Sequence, residues 1–121
     1  MPFFPTNALI NTTLNDIKSN TPHLALFTSS PNAGGGGTEV GGSYTRKPIT
    51  FGSISSGSMS NSAAITFTNL PKATITHYAV MSAASGGTMK GYGALSSPAP
   101  TEIGDQINIP VGDIVINMTG S

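Results

Sequence analysis

The chain contains no cysteine and no tryptophan, and it carries little charge. Without cysteine no disulfide framework and no thiolate metal site can form. A zinc site would have to be built from histidines and carboxylates, and neither His23 nor His77 has a companion at metal-ligand spacing. Charged residues are 8% of the composition, about a third of the roughly 25% usual for soluble globular domains. Five basic residues balance five acidic ones, and the longest basic run is Arg46-Lys47. Clustered phosphate-neutralising cations are therefore missing, which argues against a nucleic-acid partner. No apolar stretch reaches the length of a membrane span. The start, Met1-Pro2-Phe3-Phe4-Pro5, lacks the basic region and apolar run of a secretory signal, so export by another route, such as lysis, is expected.

What the chain does contain is alternation of apolar with small uncharged polar residues. Ser58-Met59-Ser60-Asn61-Ser62-Ala63-Ala64-Ile65-Thr66-Phe67 and Gln106-Ile107-Asn108-Ile109-Pro110-Val111 show it best. Faces built from Ser, Thr and Asn are cheaper to cover than faces built from ions, because desolvating a hydroxyl or amide costs far less. That is the surface of an assembly subunit. Zero net charge also removes the repulsion that keeps copies apart, so a homo-oligomer is expected.

One helix is predicted. Thr6 is a suitable N-cap, Ile10, Leu14 and Ile17 fall on one face over 8–18, and Asn20-Thr21-Pro22 ends it. Beyond Pro22 the pattern is β. His23-Leu24-Ala25-Leu26-Phe27-Thr28 reads as a strand buried on both faces. Residues 29–43, with four consecutive glycines, read as a long flexible loop. The segment 44–51 reads as a strand that Pro48 confines to an edge or bulge, and 58–67 as one continuous strand. A strand over 74–81 meets another over 89–95 through a Ser85-Gly86-Gly87-Thr88 hairpin signal. Pro98 and Pro100 should end that pairing, before strands at 107–111 and 114–118. The expected fold is mainly β: a single-domain antiparallel β-sandwich or barrel with a short N-terminal helix. The arm and helix occupy 1–21 and the β-sandwich 22–121 of one globular domain.

No catalytic constellation emerges. Serines are too abundant for any one to mark a triad, and no Gly-x-Ser-x-Gly elbow is present. Asp16, Glu39, Glu102, Asp105 and Asp113 are scattered, and loop solvation is their expected role, with a Glu102/Asp105 carboxylate pair as the catalytic alternative. Gly34 to Gly37 has no Gly-Lys-Ser/Thr sequence after it, so it is no phosphate loop. No enzyme activity, cofactor or metal is expected. Candidate interface residues are Phe3 and Phe4 on the proline-stiffened terminus, Val40 and Tyr44 around the glycine loop, and Arg46. Arg46 reads either as a solvated strand end or as an anchor for an acid on a partner.

Three stretches together resemble a known family. They are Leu24-Ala25-Leu26-Phe27-Thr28-Ser29-Ser30-Pro31, then Gly37-Thr38-Glu39-Val40-Gly41-Gly42-Ser43-Tyr44-Thr45-Arg46-Lys47-Pro48-Ile49-Thr50-Phe51-Gly52, and Ser60-Asn61-Ser62-Ala63-Ala64-Ile65-Thr66-Phe67. Ile75-Thr76-His77-Tyr78, Ala84-Ser85-Gly86-Gly87, Gly93-Ala94-Leu95 and Gly104-Asp105 follow in order. The pattern is similar to that of small structural proteins of tailed bacteriophages, often labelled tail-fibre or hypothetical virion proteins; the Phe3-Phe4 start departs from it. The resemblance implies a virion protein, assembled in the host cytoplasm and released by lysis, whose partners are major capsid or tail proteins of the same particle. The compact chain, with no shaft or repeat, favours capsid decoration (a cement subunit). A tail or tail-fibre component is the alternative, and a carbohydrate- or receptor-binding β-sandwich using the glycine loop and Tyr44 is a further one.

Overall fold

A computed structural model describes residues 1, 6–20, 22–32, 34–42 and 44–118. Helix α1, Asn7–Ser19, begins where expected. Thr6 is its extended N-cap, with its hydroxyl 3.5 Å from the Leu9 amide. Ile10 and Leu14 are buried and Ile17 half-buried, so the predicted stripe is the packed face. Asparagines and threonines make this a weak helix by propensity. Two threonines relieve their own polarity, with the Thr12 and Thr13 hydroxyls donating to the carbonyls of Ala8 and Leu9. Asn20 closes the helix by donating to the Asp16 carbonyl and carboxylate. Packing must then hold the helix, and burying Ile10 and Leu14 contributes about 1.5–3 kcal/mol each.

Eight strands follow: β1 His23–Phe27, β2 Lys47–Pro48, β3 Ser58–Ser60, β4 Ile65–Leu70, β5 Ala73–Met81, β6 Met89–Thr101, β7 Asp105–Ile109 and β8 Val115–Asn117. They form an antiparallel four-stranded sheet in the order β2-β1-β5-β6 and two ribbons, β3-β8 and β4-β7. The mainly β, antiparallel character and the single N-terminal helix match the expected class. β1 is central, and its apolar run divides by alternation. Leu24 and Leu26 enter the main core with Ile10, Leu14, Met59, Phe67, Ile75, Val80 and Ile109, while Ala25 and Phe27 pack with Ala79 and Met81 in a second cluster. The helix and both ribbons thus cover one face of the sheet.

The 58–67 segment is not one strand. It breaks at Asn61, which is 1% exposed. Its side-chain amide donates to the carbonyls of Ala63 and Pro110, and its oxygen accepts from the Ile114 amide, all at 2.9 Å. The chain therefore changes partner there, from β8 to β7. The 44–51 strand shrinks to β2, an edge strand as Pro48 required. Nor do Pro98 and Pro100 end the hairpin partner. β6 skips from Ala94 opposite His77 to Ala99 opposite Ile75, bulging at 95–98, and then pairs on to Thr101. A proline lacks a ladder donor, and an edge strand needs donors on one side alone. The Thr101 hydroxyl fastens this end to the carbonyls of Pro71 and Ala73.

The glycine loop differs most from expectation. Thr28 and Val40 amides donate to the carbonyls of Thr38 and Leu26, both at 2.9 Å, and the Ser29 hydroxyl accepts from the Thr38 amide. At the tip the Asn32 side-chain oxygen accepts from the amides of Gly34 and Gly36. Gly37, at φ +88°, lies so close to Pro31 and Phe27 that a Cβ would meet both. The described part of the loop is therefore folded onto Phe27 and held by this chain's own bonds.

Candidate functional site

The chemistry-bearing side chains do not converge. Asp105 accepts from the Glu102 amide through its carboxylate while its own amide donates to the Glu102 carbonyl. These two acids thus form a turn rather than a facing catalytic pair. Asp16 holds Asn20, and the His77 ring lies 2.8 Å from the Thr76 hydroxyl. Among the described residues no group of three or more His, Asp or Glu is placed to hold a metal ion, and no helix is long and apolar enough to cross a membrane.

Three of the expected interface residues make contacts within the subunit, two of them in one hydrogen-bonded network. Val40 is in the main core. The Tyr44 hydroxyl donates to Glu39 at 2.6 Å and accepts from the Leu26 amide at 3.0 Å, and its ring stacks on Phe67. Arg46 grips both oxygens of Glu39 and donates to the carbonyls of Ala83 and Gly86 in the turn between β5 and β6. Hydrogen bonding from Arg46 lowers the Glu39 pKa against the opposing effect of burial, and burial with the Glu39 contact drives the Tyr44 pKa upward. The solvated strand end expected at Arg46 is thus corrected: its side chain is 10% exposed and the acid it pairs with is on its own chain. Glu39, expected to solvate a loop, is that acid. Tyr44, the platform named for a glycan, spends its hydroxyl and ring face internally. Phe3 and Phe4 lie outside the described residues. Sequence reasoning missed the network, although a Tyr-x-Arg shortly after a lone Glu on a loop was its visible trace.

The open edge of the sheet lies elsewhere. β6, the longest strand, is at the sheet edge, and no strand covers its outer side among the described residues. Along 89–95 its residues alternate between half-buried Met89, Gly91, Gly93 and Leu95 and exposed Lys90, Tyr92 and Ala94. At Gly93 a Cβ would fall 2.6 Å from the Tyr78 hydroxyl, so a larger residue there would have to displace the Tyr78 ring. Two grooves of about 420 and 400 Å³ run beneath this edge and share Tyr78 as a wall. The first lies against α1 and β8, with Ile17, Val80, Lys90, Val115 and Ile116 in its lining. The second lies against β7, with Leu95, Ile107 and Asp113 in its lining. Together they form a seam where the sheet and the covering layer do not close.

Comparison with known proteins bears on what such a surface serves. No curated protein matches the chain. Residues 4–117 match the model of the family described as podophage GP4 fiber I protein gp80, which covers nearly the whole length and agrees with the phage-structural resemblance. The chain belongs to the podophage GP4 fiber I protein gp80 family.

Proposed function

We propose that this chain is a non-enzymatic structural subunit of a phage tail or tail fibre, acting through contacts with further copies and with neighbouring tail proteins of the virion. The observation that carries this reading is the family match over 4–117. It favours the fibre or tail component over the capsid-decoration role that the compact sequence suggested. The composition supports it as well, since strand faces of Ser, Thr, Asn and Gly can be covered by another protein without stripping water from ions. The open seam beside β6 supplies a surface for such contact, whereas Tyr44 and Arg46 act within the subunit. Phe3 and Phe4 are part of the same proposal: burying a phenylalanine against a neighbour is worth about 1.5–3 kcal/mol.

Gold-labelled antibody against the chain, viewed on intact particles in the electron microscope, tests the assignment. Label on the tail or its fibres is the expected result, and label spread over the capsid shell would restore the decoration reading. Deleting residues 1–5 should lower incorporation into particles while leaving the β fold unchanged by circular dichroism.

A further inference from the structure

The second apolar cluster lies on the outer face of the sheet, opposite the helix and the ribbons. Its members are Ala25, Phe27, Ala79 and Met81, none more than 7% exposed, with half-buried Met89 packed against them. The loop between Thr28 and Thr38 reaches across this face. Pro31 is buried, a Cβ on Gly37 would lie 3.2 Å from the Phe27 ring, and Asn32 and Gly35 border Met89 to Tyr92 on β6. A loop that leaves the end of β1 and reaches β6 must cross β5, which carries Ala79 and Met81.

No polar contact fastens the loop to that face. Among the described residues its hydrogen bonds stay inside it or at its base. Asn32 accepts from Gly34, Gly35 and Gly36, Ser29 accepts from Thr38, and Thr28 donates to Thr38. None reaches β5 or β6. The base, by contrast, is fixed. Val40 is in the main core and donates to Leu26, and Glu39 is gripped by Arg46, which is bonded in turn to the β5–β6 turn. The tip stops short of β6, leaving a gap of about 290 Å³ against Met89, Lys90, Gly91 and Tyr92. Closure therefore rests on apolar contact, and it is opposed by four successive glycines, which gain more freedom on release than other residues do.

We propose that this loop is a flap that lifts off the outer face of the sheet, hinged at Thr28 and Thr38, while the rest of the subunit stays folded. A compact loop with adjacent ends and few buried contacts opens at lower cost than the core. Lifting it uncovers Phe27 and Met81. The fold thus has a closed form that hides an apolar face and an open form that presents it. The device goes beyond the tail assignment and holds wherever the subunit sits on the particle.

Two methionines report the motion, because peroxide oxidises a thioether to the sulfoxide only where it can reach the sulfur. Met81 lies in the cluster under the flap at 7% exposure, and Met59 lies in the main core at 2%. The purified full chain is treated with dilute hydrogen peroxide at several low urea concentrations, and the sulfoxides are mapped by mass spectrometry. Met81 should react at least about 10-fold faster than Met59. Its rate should hardly change with urea, since lifting a loop exposes little surface, whereas the rate at Met59 should climb as global unfolding does. Pro31→Gly removes the buried contact and loosens the open loop, so it should speed oxidation of Met81. Equal rates and equal urea slopes at the two methionines would mean that the loop opens only with the core, and would overturn the proposal. An unchanged Met81 rate in Pro31→Gly would overturn it too, because the reagent would then be passing a closed loop.

Discussion

Arg46 holds Glu39 through two parallel hydrogen bonds, Nε to Oε2 and Nη2 to Oε1, both 2.9 Å. The remaining guanidinium nitrogen, Nη1, donates to the carbonyls of Ala83 and Gly86 at 3.0 and 2.8 Å. One side chain thereby joins the end of the glycine loop to the β5–β6 hairpin, some forty residues away in sequence.

Replacing Arg46 should therefore cost more than a surface ion pair. Arg46→Ala leaves a Glu39 carboxylate that is 29% exposed, together with two turn carbonyls that lose their donor. A loss of about 1.5–3 kcal/mol is expected in urea unfolding, above the 0–1 typical of exposed pairs. Arg46→Lys should recover only part of it, because an ammonium cannot reproduce the planar two-point grip. A change within experimental error for Arg46→Ala would mean the network is incidental to stability.

The same network sets a pH dependence. Arg46 holds the Glu39 pKa below its ordinary value in the folded state. A lowered carboxyl contributes stability that is present above the unfolded pKa, about 4.3, and is lost as pH falls through the folded value. The stability difference between wild type and Glu39→Gln should be largest near neutrality and shrink steadily on acidification below about pH 4. A difference independent of pH across that window would show that the charge of Glu39 is not what Arg46 recognises.

The parts of the fold legible in the sequence were those set by local pattern. Ile10, Leu14 and Ile17 at helical spacing, with Pro22 to stop them, gave α1; the apolar run at 24–27 gave the central strand; Ser85 to Thr88 gave the hairpin. What stayed hidden depended on distant partners. The break at Asn61 arises from bonds to Pro110 and Ile114, 49 and 53 residues away. The passage of β6 through two prolines depends on its place at the edge of the sheet, which strand order decides and local sequence does not. The bonds of Tyr44 and Arg46 to Glu39 and to the β5–β6 turn were hidden in the same way, since chemical type does not say which groups close around a side chain. The open seam was illegible for the same reason: nothing marks residues 91–94 until β6 is found without an outer neighbour among the described residues.

Asn61 should be among the most sensitive polar positions in the chain. Asn61→Ala removes two donors and an acceptor from a site that is 1% exposed, leaving the Ile114 amide and two carbonyls without their partner. Each buried polar group stranded in this way costs about 1–3 kcal/mol. A total loss of about 2–4 kcal/mol is expected, because water can reach some of these groups once the amide is gone. Asn61→Asp should fare no better, since a carboxylate cannot donate to the carbonyls of Ala63 and Pro110. Thermal unfolding of both variants checks the point, and wild-type midpoints would show that the break between β3 and β4 is held by other means.

The β3–β8 ribbon offers a sharper test, because it turns on a single hydrogen atom. Gly57 precedes β3 at φ +74°, and its carbonyl accepts from the Met118 amide at 2.7 Å. A Cβ at this position would lie 2.5 Å from the Met118 carbonyl oxygen, which is backbone and cannot swing aside. Gly57→Ala thus combines an unfavourable left-handed backbone with a steric collision, whereas Ser56→Ala, at φ 52° on an exposed turn, carries backbone strain already present in the wild type. The expected result is a loss of at least about 2 kcal/mol for Gly57→Ala and under about 1 for Ser56→Ala. The lost stability should be accompanied by faster amide exchange at 58–60 and 115–117, the two strands that the collision pushes apart. If the two alanine variants unfold alike, or if exchange in the ribbon is unchanged, the close approach of Gly57 to Met118 is not what sets the ribbon in place.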